Sequence, residues 1–374
     1  MQSSPDQSWR QTVTYYDNAF ETPRGLIERG QNDRQSLMRK ETEDFFRILH
    51  EHYADRQAAH WNRDYSSEAA FLQSVDGNRR RWLEAVGDYG ECVDDMNPLV
   101  EPWLEDDDMI GYWVTIDLYP GLRGRGTLVL PKKADGPVPL VICQHGIGSS
   151  PERVFGFLDD AMLYHEYGRR VVEAGFAVLA PCNITEGPPR ARQTRLASLL
   201  GKTLWGLEIA KISRLLDYVE TRDDVDIERV GMWGISLGGA YTLFTMPLEM
   251  RIKAGVCCAW FNHRIRKMVI DDPRYSCFLS VQEEHIWIPG WLREFTDSDL
   301  VSLICPRAFM SQTGKADGIA WWPFVQEEFA HARSHYAKLG IPKRAELDLH
   351  EGGHEIRVET GLRFLRRWLI EHQW

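Results

Sequence analysis

Apolar residues recur three and four apart through the first hundred positions, and from Tyr112 they alternate or run together, so two textures divide the chain. In the first stretch, Arg39 to His50 carries Phe45, Phe46 and Leu49, while Glu68 to Val86 carries Phe71, Leu72, Val75, Trp82 and Leu83. Both spacings predict amphipathic helices. Residues 1–110 therefore read as an N-terminal helical appendage, which fits a pocket wall, a dimer surface or a packing layer equally well. The acidic run Glu105 to Asp108 reads as a solvated junction.

Beyond it, Tyr112 to Leu118 and Gly126 to Leu130 alternate and flank Pro120-Gly121-Leu122-Arg123-Gly124, the pattern of a hairpin. Val138 to Cys143 is continuously apolar, as a strand buried on both faces must be. Strands are then expected at Phe176 to Ala180, Arg229 to Trp233, Ile252 to Ala259, Ala308 to Ser311 and Ala345 to Leu349. Helices are expected at Leu163 to Ala174, Leu204 to Val219, Phe324 to Leu339 and Ile356 to Ile370. This alternation predicts, over residues 111–374, a mostly parallel eight-stranded sheet covered by helices on both faces. Its longest interruption, residues 263–303, leaves a strand's carboxyl end and is rich in aromatic residues; a lid or pocket wall is the expectation.

Ligands of such sheets sit beyond the carboxyl ends of the strands, where His145, Ser236 and Asp317 fall. Ser236 lies in Gly234-Ile235-Ser236-Leu237-Gly238-Gly239, between an apolar strand and an apolar helix. A sharp turn that holds a nucleophile needs small residues two before and two after it, because side chains there would strike the flanking strand and helix. A serine hydroxyl also needs a base, and the base needs an acid to hold its tautomer. His354 sits in a glycine-loosened loop after the last strand, and Asp317 follows the strand before that. The order Ser236, Asp317, His354 is the one this architecture uses. The amides of Leu237 and Ile147 are the expected oxyanion donors. His145, Trp260, His285, Trp287 and Trp291 are the expected lining of the substrate pocket.

A competing motif overlaps this one. His350-Glu351-Gly352-Gly353-His354 fits the zinc-binding pattern His-Glu-x-x-His, which requires a helix through it. Its two glycines each cost about 1 kcal/mol of helix propensity, and Glu346 to Leu349 before it alternates like a strand. No metal or organic cofactor is implied.

The 374 residues are 43% hydrophobic and carry a net charge of −11, which disfavours nucleic acid and anionic membrane as partners and favours a small-molecule substrate. Seven cysteines without regular spacing, two of them adjacent in an apolar run (Cys257-Cys258), read as buried free thiols. The N-terminus has neither a basic stretch nor an apolar one, so the expected location is cytoplasmic.

From Tyr112 to Trp374 the chain resembles the α/β-hydrolase fold and, within it, the dienelactone-hydrolase-like and acetyl-xylan-esterase-like serine esterases. The resemblance rests on His145-Gly146, the Ser236 elbow, Cys305-Pro306-Arg307, Gly314 to Asp317, and Glu351 to Glu355. It implies a serine carboxylic-ester hydrolase that works through an acyl-enzyme on a small or carbohydrate-linked ester. Dienelactone hydrolases use cysteine where this chain has serine. The prolyl-oligopeptidase-like peptidases share the double glycine of the elbow. They usually carry a propeller of blades of about 40 to 45 residues, which residues 1–110 cannot supply. A non-catalytic scaffold of the same fold is the remaining rival, and it would be marked by a missing triad member. Homo-oligomerisation is left open.

Overall fold

The computed structural model describes residues 23–158 and 163–371. The chain divides into two compact units, Met1–Ala54 and Asp55–Trp374. The boundary expected near residue 110 thus falls at 54, and the first 22 residues of the expected appendage lie outside the described residues. The first unit holds the long helix α1 (Pro23–Glu51). Far more of the chain than expected belongs to the second.

That second unit is built on a nine-stranded sheet in the order β1-β2-β3-β5-β4-β6-β7-β8-β9. The strands are β1 (Leu99–Glu105), β2 (Met109–Tyr119), β3 (Leu122–Pro131), β4 (Val138–Gln144), β5 (Ala177–Pro181), β6 (Val225–Ile235), β7 (Ile252–Cys258), β8 (Ala308–Gly314) and β9 (Ala345–His350). Pairing is antiparallel from β1 to β3 and between β3 and β5, and parallel from β5 through β9. The strand beyond the expected eight is β1. It contains Pro102 and is mostly exposed, which hides its pattern; both are tolerated at a sheet edge, where a missing N–H breaks no ladder. The acidic run turns the chain from β1 into β2, with the Asp106 carboxylate accepting the amides of Asp108 and Met109, both at 3.0 Å.

The helices that cover this sheet include α2 (Glu68–Val86), α3 (Tyr167–Glu173), α4 (Gly187–Ser198), α5 (Leu204–Glu220), α6 (Leu237–Thr245), α7 (Arg264–Val269), α8 (Asp297–Ile304), α9 (Trp322–Lys338) and α10 (Val358–Leu369). α3 and α10 pack on one face, and α5, α6, α8 and α9 on the other. α2 starts where the Ser67 hydroxyl caps the amide of Ala70, and it buries Phe71, Val75, Trp82 and Val86. Trp82 donates to the carbonyl of Phe244 in α6, and Arg79 to that of Pro247, so α2 is a layer of the unit built on the sheet.

The insertion 263–303 is anchored by Arg264 and Asp297, both fully buried, whose two hydrogen bonds are 2.9 and 2.5 Å long. The pair ties the two ends of the insertion together, because each half left alone in the interior costs several kcal/mol. Next to this pair, burial raises the Glu328 carboxyl of α9 to about 7, against the hydrogen bond it accepts from the Ser298 amide. A raised folded-state value means that Glu328 supports the fold fully below the ordinary carboxylate range, and that this support is lost as pH climbs through about 7. Glu328→Gln is therefore expected to gain on the order of 1–3 kcal/mol over the parent at pH 8 and nothing at pH 4, measured as urea midpoints at the two values.

Candidate active site

Three parallel strands deliver the three expected residues to one edge of the sheet. Ser236 follows β6, Asp317 follows β8 and His354 follows β9. Ser236 adopts φ 58° and ψ −121°, a strained conformation for a residue with a side chain, and is only partly buried. Strain of this kind persists only where the surroundings over-determine it. Here they do so through glycines: a Cβ at Gly234 would strike the Gly238 carbonyl, one at Gly238 would strike that of Gln144, and one at Gly239 that of Cys258. The Ser236 amide donates to Cys258 O at 2.9 Å, which holds the turn against β7.

The loops after β8 and β9 are laced together. Lys315 N donates to His350 O at 2.7 Å and Ala316 N to Gly352 O at 3.0 Å. A Cβ at Gly314 would collide with the Gly352 and Gly353 carbonyls, so only glycine permits this crossing. The lacing sets the His354 Nδ1 2.8 Å from the Asp317 Oδ2. Asp317 is almost fully buried and accepts the Ile319 amide on its other oxygen at 3.0 Å, while His354 keeps a solvent-facing edge. Among the described residues no hydrogen bond joins Ser236 Oγ to the His354 ring; such bonds commonly tighten only with substrate in place.

The loop after β4 closes the site from the other side. The amide of Gly146 is occupied by the Tyr164 hydroxyl at 2.9 Å, which leaves the next amide, that of Ile147, for an incoming oxygen. Leu237 opens α6, so its N–H has no partner one turn back within the helix. Leu237 directly follows Ser236, and a Cβ at Gly146, next to Ile147, would stand 3.4 Å from the Ser236 Cβ.

The expected pocket lining fares differently. His145 is fully buried: its Nε2 accepts the Asn183 amide at 3.3 Å, and burial lowers its pKa to about 4. It is buried under the loop it belongs to and does not line a solvent-facing surface. His285 is also buried, lowered to about 3 by desolvation and by Arg190. Trp291 is 2% exposed and packs edge-on to Phe244 in the core. Trp260 packs beside the elbow against Gly239, and Trp287 is 41% exposed. Trp291→Ala is accordingly expected to cost about 3–5 kcal/mol in a denaturant titration and to leave relative rates on different esters unchanged. Trp287→Ala should do the reverse.

The histidine pair of His350-Glu351-Gly352-Gly353-His354 does not have helical spacing. β9 runs to His350, a turn follows, and His354 is engaged with Asp317. Among the described residues no group of three or more His, Cys, Asp or Glu side chains could hold a metal ion.

Two supports escaped the sequence reading. Lys267 of α7, buried and lowered to about 8 chiefly by desolvation, donates to Ile319 O at 2.7 Å and Ser276 O at 2.6 Å, and so clamps the Asp317 loop to the insertion. Arg190 of α4, fully buried, bridges Glu208 of α5 and the Tyr241 hydroxyl of α6. Nothing in local spacing marks either residue, since each partner is distant along the chain.

No family model matches the chain. It is 27% identical over 306 residues to the putative hydrolase YtaP of Bacillus subtilis, a match that covers 78% of this chain and 98% of that protein. Among solved structures it resembles a putative acetyl xylan esterase from Bacteroides fragilis, with TM-score 0.65, 16% identity and 81% of each chain covered. It also resembles a glucuronoyl esterase from Teredinibacter turnerae, with TM-score 0.57, 17% identity, and 79% of this chain and 85% of that one covered. The chain has the α/β-hydrolase fold, which it shares with these two solved structures.

Proposed function

We propose that the protein is a serine carboxylic-ester hydrolase that forms an acyl-enzyme on a small or carbohydrate-linked ester. The observation that carries this reading is the coincidence, at one sheet edge, of a strained, partly exposed Ser236 with the 2.8 Å His354–Asp317 bond. Its structural neighbours, an acetyl xylan esterase by description and a glucuronoyl esterase, support the same substrate chemistry.

In this reading Ser236 Oγ attacks the ester carbonyl while His354 Nε2 accepts its proton. The imidazolium so formed is held by the Asp317 carboxylate at Nδ1. The carbonyl oxygen takes up the negative charge between the amides of Leu237 and Ile147, at the positive end of α6. Collapse expels the alcohol, which takes the proton from His354. Water then repeats the sequence on the acyl-serine and restores Ser236.

Rapid mixing with p-nitrophenyl acetate should release one equivalent of nitrophenol per chain in a burst before steady turnover. Acid quenching in the burst should leave one acetyl group on the peptide that bears Ser236. A linear time course with the acyl group on another residue, or on none at all, would overturn the reading. A panel of acetylated sugars and sugar methyl esters then separates carbohydrate-linked from simple esters.

A further inference from the structure

We propose that α1 is a self-association helix, through which two copies of this chain pair antiparallel about a twofold axis between Leu37 and Met38. The helix leaves Leu37, Met38, Phe45, Phe46 and Ile48 more than half exposed, at 53 to 58%, and all but Phe46 lie on one side. At 100° per residue Leu37, Met38, Phe45 and Ile48 fall within an arc of about 100°, on one face that also carries Arg34 and Glu41. Large apolar side chains gathered on one exposed face mark an interaction surface. The helix's own ion pairs, Lys40 with Asp44 and Arg47 with Glu43, lie outside that arc.

The order of residues along this face identifies the occupant. It is complementary to itself when reversed about the midpoint of Leu37 and Met38. In the sequence, position 30 then meets 45 (Gly with Phe), 34 meets 41 (Arg with Glu), and 37 meets 38 (Leu with Met). The largest ring is thus set over a glycine. The two charged residues inside the face, Arg34 and Glu41, are both exposed and meet as opposite charges, twice in each dimer. A parallel pair would instead place Arg34 on Arg34, Glu41 on Glu41 and Phe45 on Phe45, repelling at two levels and crowding a third. Isologous pairing of this kind is what a twofold dimer requires.

A lipid surface fits the same face poorly. Between Pro23 and Glu51 the sequence has six Arg or Lys and six Asp or Glu, whereas helices that lie on anionic membranes are rich in Lys and Arg on the polar side.

The test is the mass of the full chain in solution, by sedimentation equilibrium over a range of concentrations. The parent should move from one chain toward two as concentration rises. Glu41→Arg should weaken association by about tenfold or more, because Arg34 would then face arginine, and Arg34→Glu should do the same. The double variant Arg34→Glu/Glu41→Arg should return to within about threefold of the parent, since it restores both contacts with the signs exchanged. Far-UV circular dichroism checks that each variant keeps its helix. A parent that stays monomeric throughout would overturn the proposal, as would single variants with no effect or a double variant that does not recover. Monomeric chains that co-sediment with phosphatidylcholine or phosphatidylserine vesicles would assign the face to lipid instead.

Discussion

Ser236→Ala should lower ester turnover by at least about a thousandfold while the melting temperature hardly moves. The hydroxyl is expected to carry the chemistry without supporting the fold. Ser236 is only partly buried, and its backbone is held by its own amide and by the three surrounding glycines, all of which the variant keeps. Alanine has the same Cβ and meets the same strain at φ 58°, so the stability change should stay within about 0.5 kcal/mol. Labelling by a serine-directed phosphonate, followed by mass spectrometry, provides the second readout. The parent should take up one label and the variant none. A variant that is still labelled and still active would place the nucleophile elsewhere.

Asp317→Asn should lower kcat by at least about a hundredfold at neutral pH. In a serine protease triad the equivalent change costs about ten-thousandfold by favouring the wrong imidazole tautomer. The amide would fill the same space 2.8 Å from His354 Nδ1, yet it could not stabilise the imidazolium. Asp297 and Asp299, which stand nearby in sequence, provide the contrast. Asp297 is locked to Arg264 in the interior, and Asp299 caps the start of α8 while pairing with Arg63 at 2.6 Å. Asp297→Asn should cost about 3–5 kcal/mol of stability, because it leaves Arg264 buried without its counter-charge, and the protein that remains folded should keep its kcat. The pair of variants therefore separates a loss of chemistry from a loss of fold. Full turnover in Asp317→Asn together with collapse in a fully folded Asp297→Asn would transfer the acid to Asp297.

Much of this architecture is legible in local pattern because its causes are local. The Glu68–Val86 helix, the continuously apolar β4 and the glycines about Ser236 each follow from periodicity or from the space one turn allows. The His-Glu-x-x-His alternative is also decided locally, by glycines that disfavour a helix where β9 ends. β1 was hidden for the opposite reason: an edge strand tolerates the proline and the exposed residues that erase its alternation.

The pocket shows where local pattern stops. His145, His285 and Trp291 look in the sequence like an aromatic lining, yet all three are buried by partners 38 or more residues away: Asn183 on His145, Trp205 on the His285 carbonyl, and Phe244 against Trp291. Chain order and side-chain period were enough to place most strands and helices and to put Ser236, Asp317 and His354, in that order, on strand ends. Only the tertiary structure decided which loops lace together, which charges are entombed as Arg264 with Asp297, and which aromatic residues remain within reach of solvent. Those outcomes depend on packing between segments far apart in the chain, and no local spacing encodes which side chain closes over which.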